Sequence, residues 1–250
     1  MALTRCEAVV VRTYPLGDTS RIAVLYSREF GIVRGVAKGA RGPKSPFGAG
    51  LEPLSIVDVV LYRKDGRDLD LLSKVNVLED WRASDLVRVT HAQSVLEFVD
   101  RLVHEVEPDA ELYALVKSAI WALRDAPADA LASVTLAFQL QAAALLGYGP
   151  EFTRCAGCGA PPVAFFAPDL GGVVCARCAG GEGLCVSASP EALADLARLQ
   201  ATPLVSLVPF ASARAGEMLR LVELHLKSHV HRFMGFKSLA LLLTLEGTAA

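Results

Sequence analysis

Residues 54–77 read LSIVDVVLYRKDGRDLDLLSKVNV and hold two apolar runs on either side of the pair Asp65-Gly66. An Asp-Gly pair between two such runs indicates a β-hairpin, because both positions of its tight turn need positive φ. Three further runs rich in Val, Ile, Leu and Tyr come earlier, at residues 3–13, 21–27 and 31–38. The sequence therefore predicts five short strands in a small closed barrel such as an OB-fold. An SH3-like barrel has a similar number of strands and stays open as an alternative.

The spacing of apolar residues changes after Trp81 from two to about 3.6, which predicts helices. The first apolar stripe runs over residues 89–106; Pro108 stops that helix, and Asp109 can cap the next one. The other predicted helices cover about residues 127–146, the stretch after Ser189 and about residues 212–231, and a final apolar stretch follows at residues 239–245.

The predicted class is α+β: an N-terminal five-stranded OB-fold barrel, then a helical bundle with a four-cysteine, zinc-ribbon-like insertion. We expect four parts along the chain. They are the barrel (1–80), the first part of the helical domain (81–150), the cysteine-bearing insertion (151–186) and the C-terminal part of the helical domain (187–250).

Composition excludes a disordered chain, because 52% of the 250 residues are hydrophobic and only 21% are charged. The formal net charge of −2 gives no global indication of a nucleic-acid partner. The first 45 residues, however, carry eight Lys and Arg against three Asp and Glu, a local charge of +5. This uneven distribution predicts one local anionic partner.

One stretch has about the length of a membrane span, since residues 130–150 contain no charged side chain. The polar residues Ser133, Gln139 and Gln141 and the many alanines favour a buried helix instead. The chain start lacks the basic and apolar regions of a signal peptide. We therefore expect a cytoplasmic protein without a membrane partner.

Four cysteines form the pattern Cys155-x2-Cys158-x16-Cys175-x2-Cys178. Each Cys-x2-Cys turn can direct two thiolates at one tetrahedral Zn²⁺, with Zn–S distances near ~2.3 Å. Four protein ligands leave no open coordination position, so the predicted cofactor is one structural zinc ion. Two disulfides would need an oxidising compartment, and a redox dithiol is the other alternative.

The segment around this pattern supplies supporting features. Gly157 and Gly159 allow tight turns in which backbone N–H groups face sulfur, and Gly171-Gly172 closes a hairpin with Phe165-Phe166 opposite Val173-Val174. We expect the two remaining cysteines to be a spare thiol (Cys185) and a core residue (Cys6).

A basic, glycine-rich segment follows the second predicted strand, GIVRGVAKGARGPKS at residues 31–45. It carries Arg34, Lys38, Arg41 and Lys44, and no acidic residue lies between residues 32 and 50. Glycines bring the backbone close to a ligand, and spaced cations suit a phosphate backbone, so we predict contact with DNA or RNA. An ordinary solvated loop is the alternative.

Enzyme motifs are missing from the sequence. Lys44-Ser45 follows Pro43, which rules out a Walker A loop, and neither Gly-x-Ser-x-Gly nor His-Glu-x-x-His occurs. His225 and His229 stand four residues apart and could bind a metal, but a basic helix C-terminus that ends at Arg232 is the preferred interpretation. We predict a protein that is not an enzyme.

Taken together, these features resemble the RecO family of bacterial recombination mediators. The match is densest over residues 31–45, and the strand pair from Val9-Val10-Val11-Arg12 to Asp18-Thr19-Ser20-Arg21 and the late four-cysteine insertion support it. Only the basic segment of the family's DNA-binding features can be placed, on Arg34, Lys38, Arg41 and Lys44; we add Arg12 and Arg21 as further nucleic-acid contacts.

The resemblance implies binding of single- and double-stranded DNA, annealing of complementary strands and partnership with RecR. It also implies help in loading RecA onto DNA coated by single-strand-binding protein, in the bacterial cytoplasm and at the nucleoid during repair. A zinc-stabilised protein-interaction adaptor with weak DNA binding is the alternative. Its feature is an acidic run that would suit a basic partner: Glu105, Glu107, Asp109 and Glu111.

Overall fold

The computed structural model describes residues 2–42, 45–63, 69–83, 85–103, 108–161, 165–181 and 183–247. The chain divides into two compact units. Unit 1 comprises Met1–Ser84 with Leu96–Lys117, and unit 2 comprises Asp85–Val95 with Ser118–Ala250. The predicted Asp65-Gly66 turn lies outside the described residues.

Five strands close into a barrel in unit 1: β1 (Ala2–Leu16), β2 (Ser20–Ser27), β3 (Gly31–Ala37), β4 (Ile56–Arg63) and β5 (Asp70–Glu79). The strands follow one another around the barrel in the order β1-β2-β3-β5-β4, and β4 pairs back with β1. All neighbours are antiparallel except β3 and β5, which run parallel. This closed, OB-like barrel confirms the predicted fold of the first eighty residues.

Side chains alternate between the two faces of each strand, and those that point inward fill the barrel interior. On β3, Val33 and Ala37 point into the core and are buried, whereas Arg34 points outward and is exposed. Gly35 lies on the inner face, where a Cβ atom would come within 2.7 Å of the Leu72 side chain. The inward faces of the five strands thus form one apolar core, and the outward faces are left for contacts.

The helical part of unit 1 packs against the barrel through Glu7. The Tyr113 hydroxyl and the Lys117 ammonium both donate to Glu7 Oε1, at 3.0 and 2.7 Å. Burial alone would raise the pKa of Glu7, but these two hydrogen bonds lower it. The Tyr113 ring also lies 5.9 Å from the Tyr26 ring.

Three helices follow the barrel: α1 (Leu86–Leu102), α2 (Ala110–Asp125) and α3 (Leu131–Leu145). Asp109 Oδ1 accepts the backbone N–H groups of Glu111 and Leu112 at 3.0 and 2.9 Å, which confirms the predicted N-cap of α2. The stretch Ala128–Leu145 is long and apolar enough to cross a membrane. Because 67% of it is buried inside the protein, it is a core helix, as the sequence predicted.

The cysteine-bearing insertion contains β6 (Phe165–Ala167), β7 (Gly172–Val174), helix α4 (Ala176–Ala179) and β8 (Val186–Ser187). Phe165 pairs with Val174 and Phe166 with Val173, as predicted for this hairpin. Three helices complete unit 2: α5 (Pro190–Ala201), α6 (Ala215–His229) and α7 (Lys237–Gly247). The bundle is therefore interrupted by the insertion between α3 and α5.

Candidate metal centre and nucleic-acid interface

The insertion brings the four predicted cysteines together. The Sγ atoms of Cys155, Cys158, Cys175 and Cys178 all lie within 4.8 Å of one another. Cys158 Sγ and Cys175 Sγ are 3.7 Å apart. Two sulfurs bound to one tetrahedral ion at ~2.3 Å are separated by about 3.8 Å, whereas a disulfide bond measures about 2.05 Å. The spacing therefore fits a shared metal ion and not a pair of disulfides.

Backbone geometry holds these thiols in place. The Cys175 N–H donates to Cys155 Sγ at 3.3 Å, and the Cys155 N–H donates to the Ala160 carbonyl at 2.7 Å. A Cβ atom on Gly157 would lie 3.1 Å from Cys178 Sγ, so a larger residue would press on the sulfur. The Gly157 N–H faces the Cys155 sulfur, as predicted for this turn.

The electrostatics of the cluster favour a bound cation. The N–H groups of Cys175, Cys158 and Gly157 lower the pKa of the Cys155 thiol to about 6. The pKa of Cys178 is instead raised to about 12, because neighbouring thiols, first that of Cys158, hold its proton. Four thiols this close cannot all ionise without positive charge, which a divalent metal ion supplies.

The remaining cysteines lie where the sequence analysis expected a spare and a core thiol. Cys185 is half-buried and packs against the apolar cluster around Cys155, outside the group of four. Cys6 is buried in the barrel, where loss of solvation raises its pKa to about 11. Neither residue belongs to the metal centre.

Two histidines of α6 contact the end of α3 and the insertion. His225 Nε2 lies 2.5 Å from the Tyr148 carbonyl oxygen, and His229 Nε2 lies 2.8 Å from that of Pro168. Burial lowers the pKa of His225 to about 4, so this ring is neutral at pH 7. The interpretation of His225 as part of a basic helix end is therefore wrong, because packing against Phe166 removes the ring from solvent. Only the folded structure places carbonyl oxygens beside these rings.

Among the predicted nucleic-acid residues, Lys38 and Arg41 lie just after β3, and Arg34 lies in the middle of that strand. The side chains of Arg34, Lys38 and Arg41 are exposed, and none of them makes an ion pair within the described part of the chain. Arg41 donates through its backbone N–H to the Thr19 carbonyl at 2.9 Å and through Nη1 to the Gly17 carbonyl at 3.0 Å. These bonds hold the loop after β3 along the turn between β1 and β2. Lys44 lies outside the described residues.

Arg12 and Arg21 have acidic partners. Arg12 Nε lies 3.1 Å from Asp100 Oδ1, and Arg21 Nη1 lies 3.3 Å from Glu52 Oε1. Strand register places Arg12 and Arg34 on either side of Val24, two strand spacings or about 10 Å apart. Register thus brings Arg12 near Arg34, but carboxylates partly neutralise Arg12 and Arg21.

Few aromatic rings are available for base stacking on the barrel. Tyr26 and Phe47 are buried, and the Arg63 guanidinium lies 4.4 Å from the Phe30 ring centroid. Tyr14 and Tyr62 are the two exposed rings among the described barrel residues, at 36% and 38%. The surface around Arg34, Lys38 and Arg41 is therefore suited chiefly to phosphate contact.

The fold and site define a class of protein with an OB-like barrel, a helical bundle and a four-cysteine insertion. Residues 1–81 match the family model described as Recombination protein O N terminal, and residues 83–240 match Recombination protein O C terminal. The chain belongs to the RecO family.

Curated relatives agree with this assignment. A protein named DNA repair protein RecO from a Nocardioides species is 35% identical over 95% of this chain and 98% of its own length. Proteins of the same name from Symbiobacterium thermophilum and Cutibacterium acnes are each 37% identical, over 73% and 71% of this chain and 74% and 75% of their own lengths.

Proposed function

We propose that this protein is a DNA-binding recombination mediator in DNA repair that anneals complementary single strands. The observation that carries the proposal is a group of exposed cations on β3 and the glycine-rich loop after it, Arg34, Lys38 and Arg41. Membership of a family whose relatives are named DNA repair proteins supports the role in repair.

Annealing requires that two strands approach while their base edges stay free. Cations that contact phosphates reduce the repulsion between strands, and they occupy no pairing edge. The loop between β3 and β4 suits this task, because its backbone is anchored to the β1–β2 turn while the Lys38 side chain extends into solvent. The basic surface thus acts on any sequence alike.

Further partners follow from the family resemblance. We propose that the protein acts with RecR, in the cytoplasm and at the nucleoid, and helps to load RecA onto DNA coated by single-strand-binding protein. The proposed mechanism is binding and alignment without bond cleavage, so the protein is not an enzyme. Magnesium-dependent cleavage of DNA by the purified protein would contradict this part of the proposal.

We propose that the metal held by Cys155, Cys158, Cys175 and Cys178 is one structural Zn²⁺. Soft thiolate ligands in a closed tetrahedral set suit zinc, which would replace the remaining thiol protons and fix the insertion. Since no coordination position stays open, this chain's residues use the ion for folding and not for chemistry at DNA.

A second candidate, a protein-interaction adaptor, has one observation in its favour. Val205 and Val208 in unit 2 are 83% and 82% exposed, and apolar side chains on a surface favour protein contacts. The acidic run proposed for such contacts carries less weight, because Asp109 is engaged as the α2 cap. Glu105 and Glu107 of that run lie outside the described residues.

The test that separates the two candidates follows two complementary labelled oligonucleotides by fluorescence quenching with and without the protein, at about 50 and about 300 mM salt. The mediator proposal expects faster annealing at low salt and a clear loss at high salt, because phosphate contacts release counterions. No acceleration at either salt concentration would contradict it and favour the adaptor.

A further inference from the structure

A row of apolar side chains begins beside the basic loop, the loop after β3 that carries Lys38 and Arg41, and runs around the outside of the barrel. Strand register pairs Val36 of β3 with Leu71 of β5, Leu71 with Tyr62 of β4, and Tyr62 with Leu3 of β1. Leu3 is 63% exposed, Tyr62 is exposed, and the other two are half-buried. Four adjacent strands thus present one continuous apolar row that includes one of the two exposed tyrosines.

A row of cations lies beside the apolar row on the same face. Lys74 of β5 pairs with Val60 of β4, and Val60 pairs with Arg5 of β1. Lys38 follows Val36 by two residues, which places it on the same side of the apolar row. From Lys38 to Arg5 the cations span three strand spacings, about 14 Å.

These cations are available to an anionic ligand. Lys74 is exposed and makes no ion pair that the described residues show. Arg5 donates through Nε to Asp58 Oδ1 at 2.6 Å, yet its side chain is 74% exposed while that of Asp58 is 12% exposed. Asn76 covers the second carboxylate oxygen at 3.1 Å. The Arg5 guanidinium is therefore accessible to a ligand, whereas the Asp58 carboxylate is largely covered.

The outer face on the other side of Val36, formed by β2 and β1, is less suited to a nucleic-acid strand. There the register leads from Val36 to Ile22 and then to Tyr14. Ile22 is buried, and the cations on that side, Arg12 and Arg21, have carboxylate partners. Two exposed tyrosines thus lie equally far from Val36, but only Tyr62 belongs to an apolar row that runs beside Lys74 and Arg5. Within the described residues, no exposed acid pairs with either of these two cations.

We propose that the outer face of β3, β5, β4 and β1 binds one DNA single strand, with bases stacked on Tyr62 and phosphates at Lys74 and Arg5. This inference rests on the proposed function, since it describes where a DNA strand lies after its first contact with the basic loop. A strand bound here places its bases against the protein, whereas the basic loop holds phosphates with base edges free. A DNA strand on this face is therefore held unpaired until it meets its complement.

The experiment measures the affinity of the full-length protein for a labelled oligo(dT) by fluorescence anisotropy at fixed salt. Tyr62→Ala should weaken binding roughly 5- to 150-fold, the range for loss of one stacking aromatic. Tyr62→Phe should bind like wild type, because it keeps the ring. Tyr14→Ala is the matched control, an equally exposed tyrosine in the other direction, and should change the affinity by less than about twofold. When the assay is repeated at several salt concentrations, Lys74→Ala should reduce the slope of log K against log salt by about 0.7.

An oligonucleotide of abasic sugars separates loss of base stacking from a general loss of binding, once circular dichroism has shown that the variant is folded. Wild type and Tyr62→Ala should bind it equally, since no base is present to stack. Equal loss with abasic and normal strands would overturn the stacking site, and so would normal oligo(dT) binding by Tyr62→Ala. If Tyr62→Ala binds normally while Lys38→Glu/Arg41→Glu binds weakly, the proposed function stands and this inference falls. If wild type does not bind oligo(dT), both fall.

Discussion

Replacing Arg34 and Lys38 by alanine should reduce the salt dependence of DNA binding by a defined amount. Each phosphate neutralised on a single strand contributes about −0.7 to the slope of log K against log salt. Arg34 on β3, together with Lys38 and Arg41 in the loop after it, gives three described cations without acidic partners. This region therefore contributes about −2 to the slope, or roughly −3 if Lys44 also makes contact. The double variant should therefore lose about 1.4 of that slope.

This change is large enough to measure. Between 50 and 200 mM salt, a slope difference of about 1.4 corresponds to roughly a sevenfold difference in salt sensitivity. Fluorescence anisotropy with a labelled oligonucleotide at five or six salt concentrations gives both slopes. The loss should be the same for strands of different sequence, because phosphates carry no sequence information.

A matched control removes the same charge from unit 2. Arg220 and Arg232 are exposed and make no ion pair with any residue that the structure describes. Arg232 has φ near +60°, so Arg220→Ala/Arg232→Asn is the suitable variant, since asparagine tolerates this conformation. The control should keep the wild-type slope. A control slope that falls as far as that of Arg34→Ala/Lys38→Ala, or unchanged slopes in both, would refute the assignment to the loop.

Three further predictions concern the helices and the metal centre. Cys158→Ser should lower the bound zinc measured after purification from one ion per chain to well below one, because three thiolates and a hydroxyl form a poorer ligand set; a full ion would contradict the site. Burial lowers the pKa of His91 to about 4. The neutral ring therefore contributes full stability to the fold above the unfolded pKa of about 6.5, and this contribution is lost as the pH falls toward 4. Urea unfolding of wild type should therefore lose about 2 kcal/mol more than His91→Gln between pH 7 and 5, and parallel profiles would count against this. Asp109→Ala should cost about 1 kcal/mol of unfolding free energy through loss of the α2 cap, and an unchanged thermal midpoint would argue against the cap.

Local sequence patterns were enough to predict much of the fold. The runs around Gly31 and Leu61 predicted strands, because residues such as Val, Ile and Tyr favour extended backbone. Spacing alone also placed Cys155 and Cys178 in one cluster, since two Cys-x2-Cys turns joined by a hairpin have few other arrangements. The cap at Asp109 likewise depends on residues close in sequence.

Other features depend on contacts between distant residues, which no local pattern encodes. The partners of Arg12 and His225, Asp100 and the Tyr148 carbonyl, are distant in sequence and meet only in the folded chain. The row that joins Leu3 to Tyr62 exists only after the barrel closes and fixes the register of β1 against β4. Sequence reasoning therefore found the basic loop but missed the face beside it.

The most direct test of the central proposal compares strand annealing by wild type and the Lys38→Glu/Arg41→Glu variant at low and high salt. Circular dichroism and the thermal midpoint show first that the variant is folded. The account predicts fast annealing by wild type that salt suppresses, and annealing by the folded variant no faster than without protein. Normal annealing by the folded variant would contradict the assignment of the DNA-binding surface to the loop after β3.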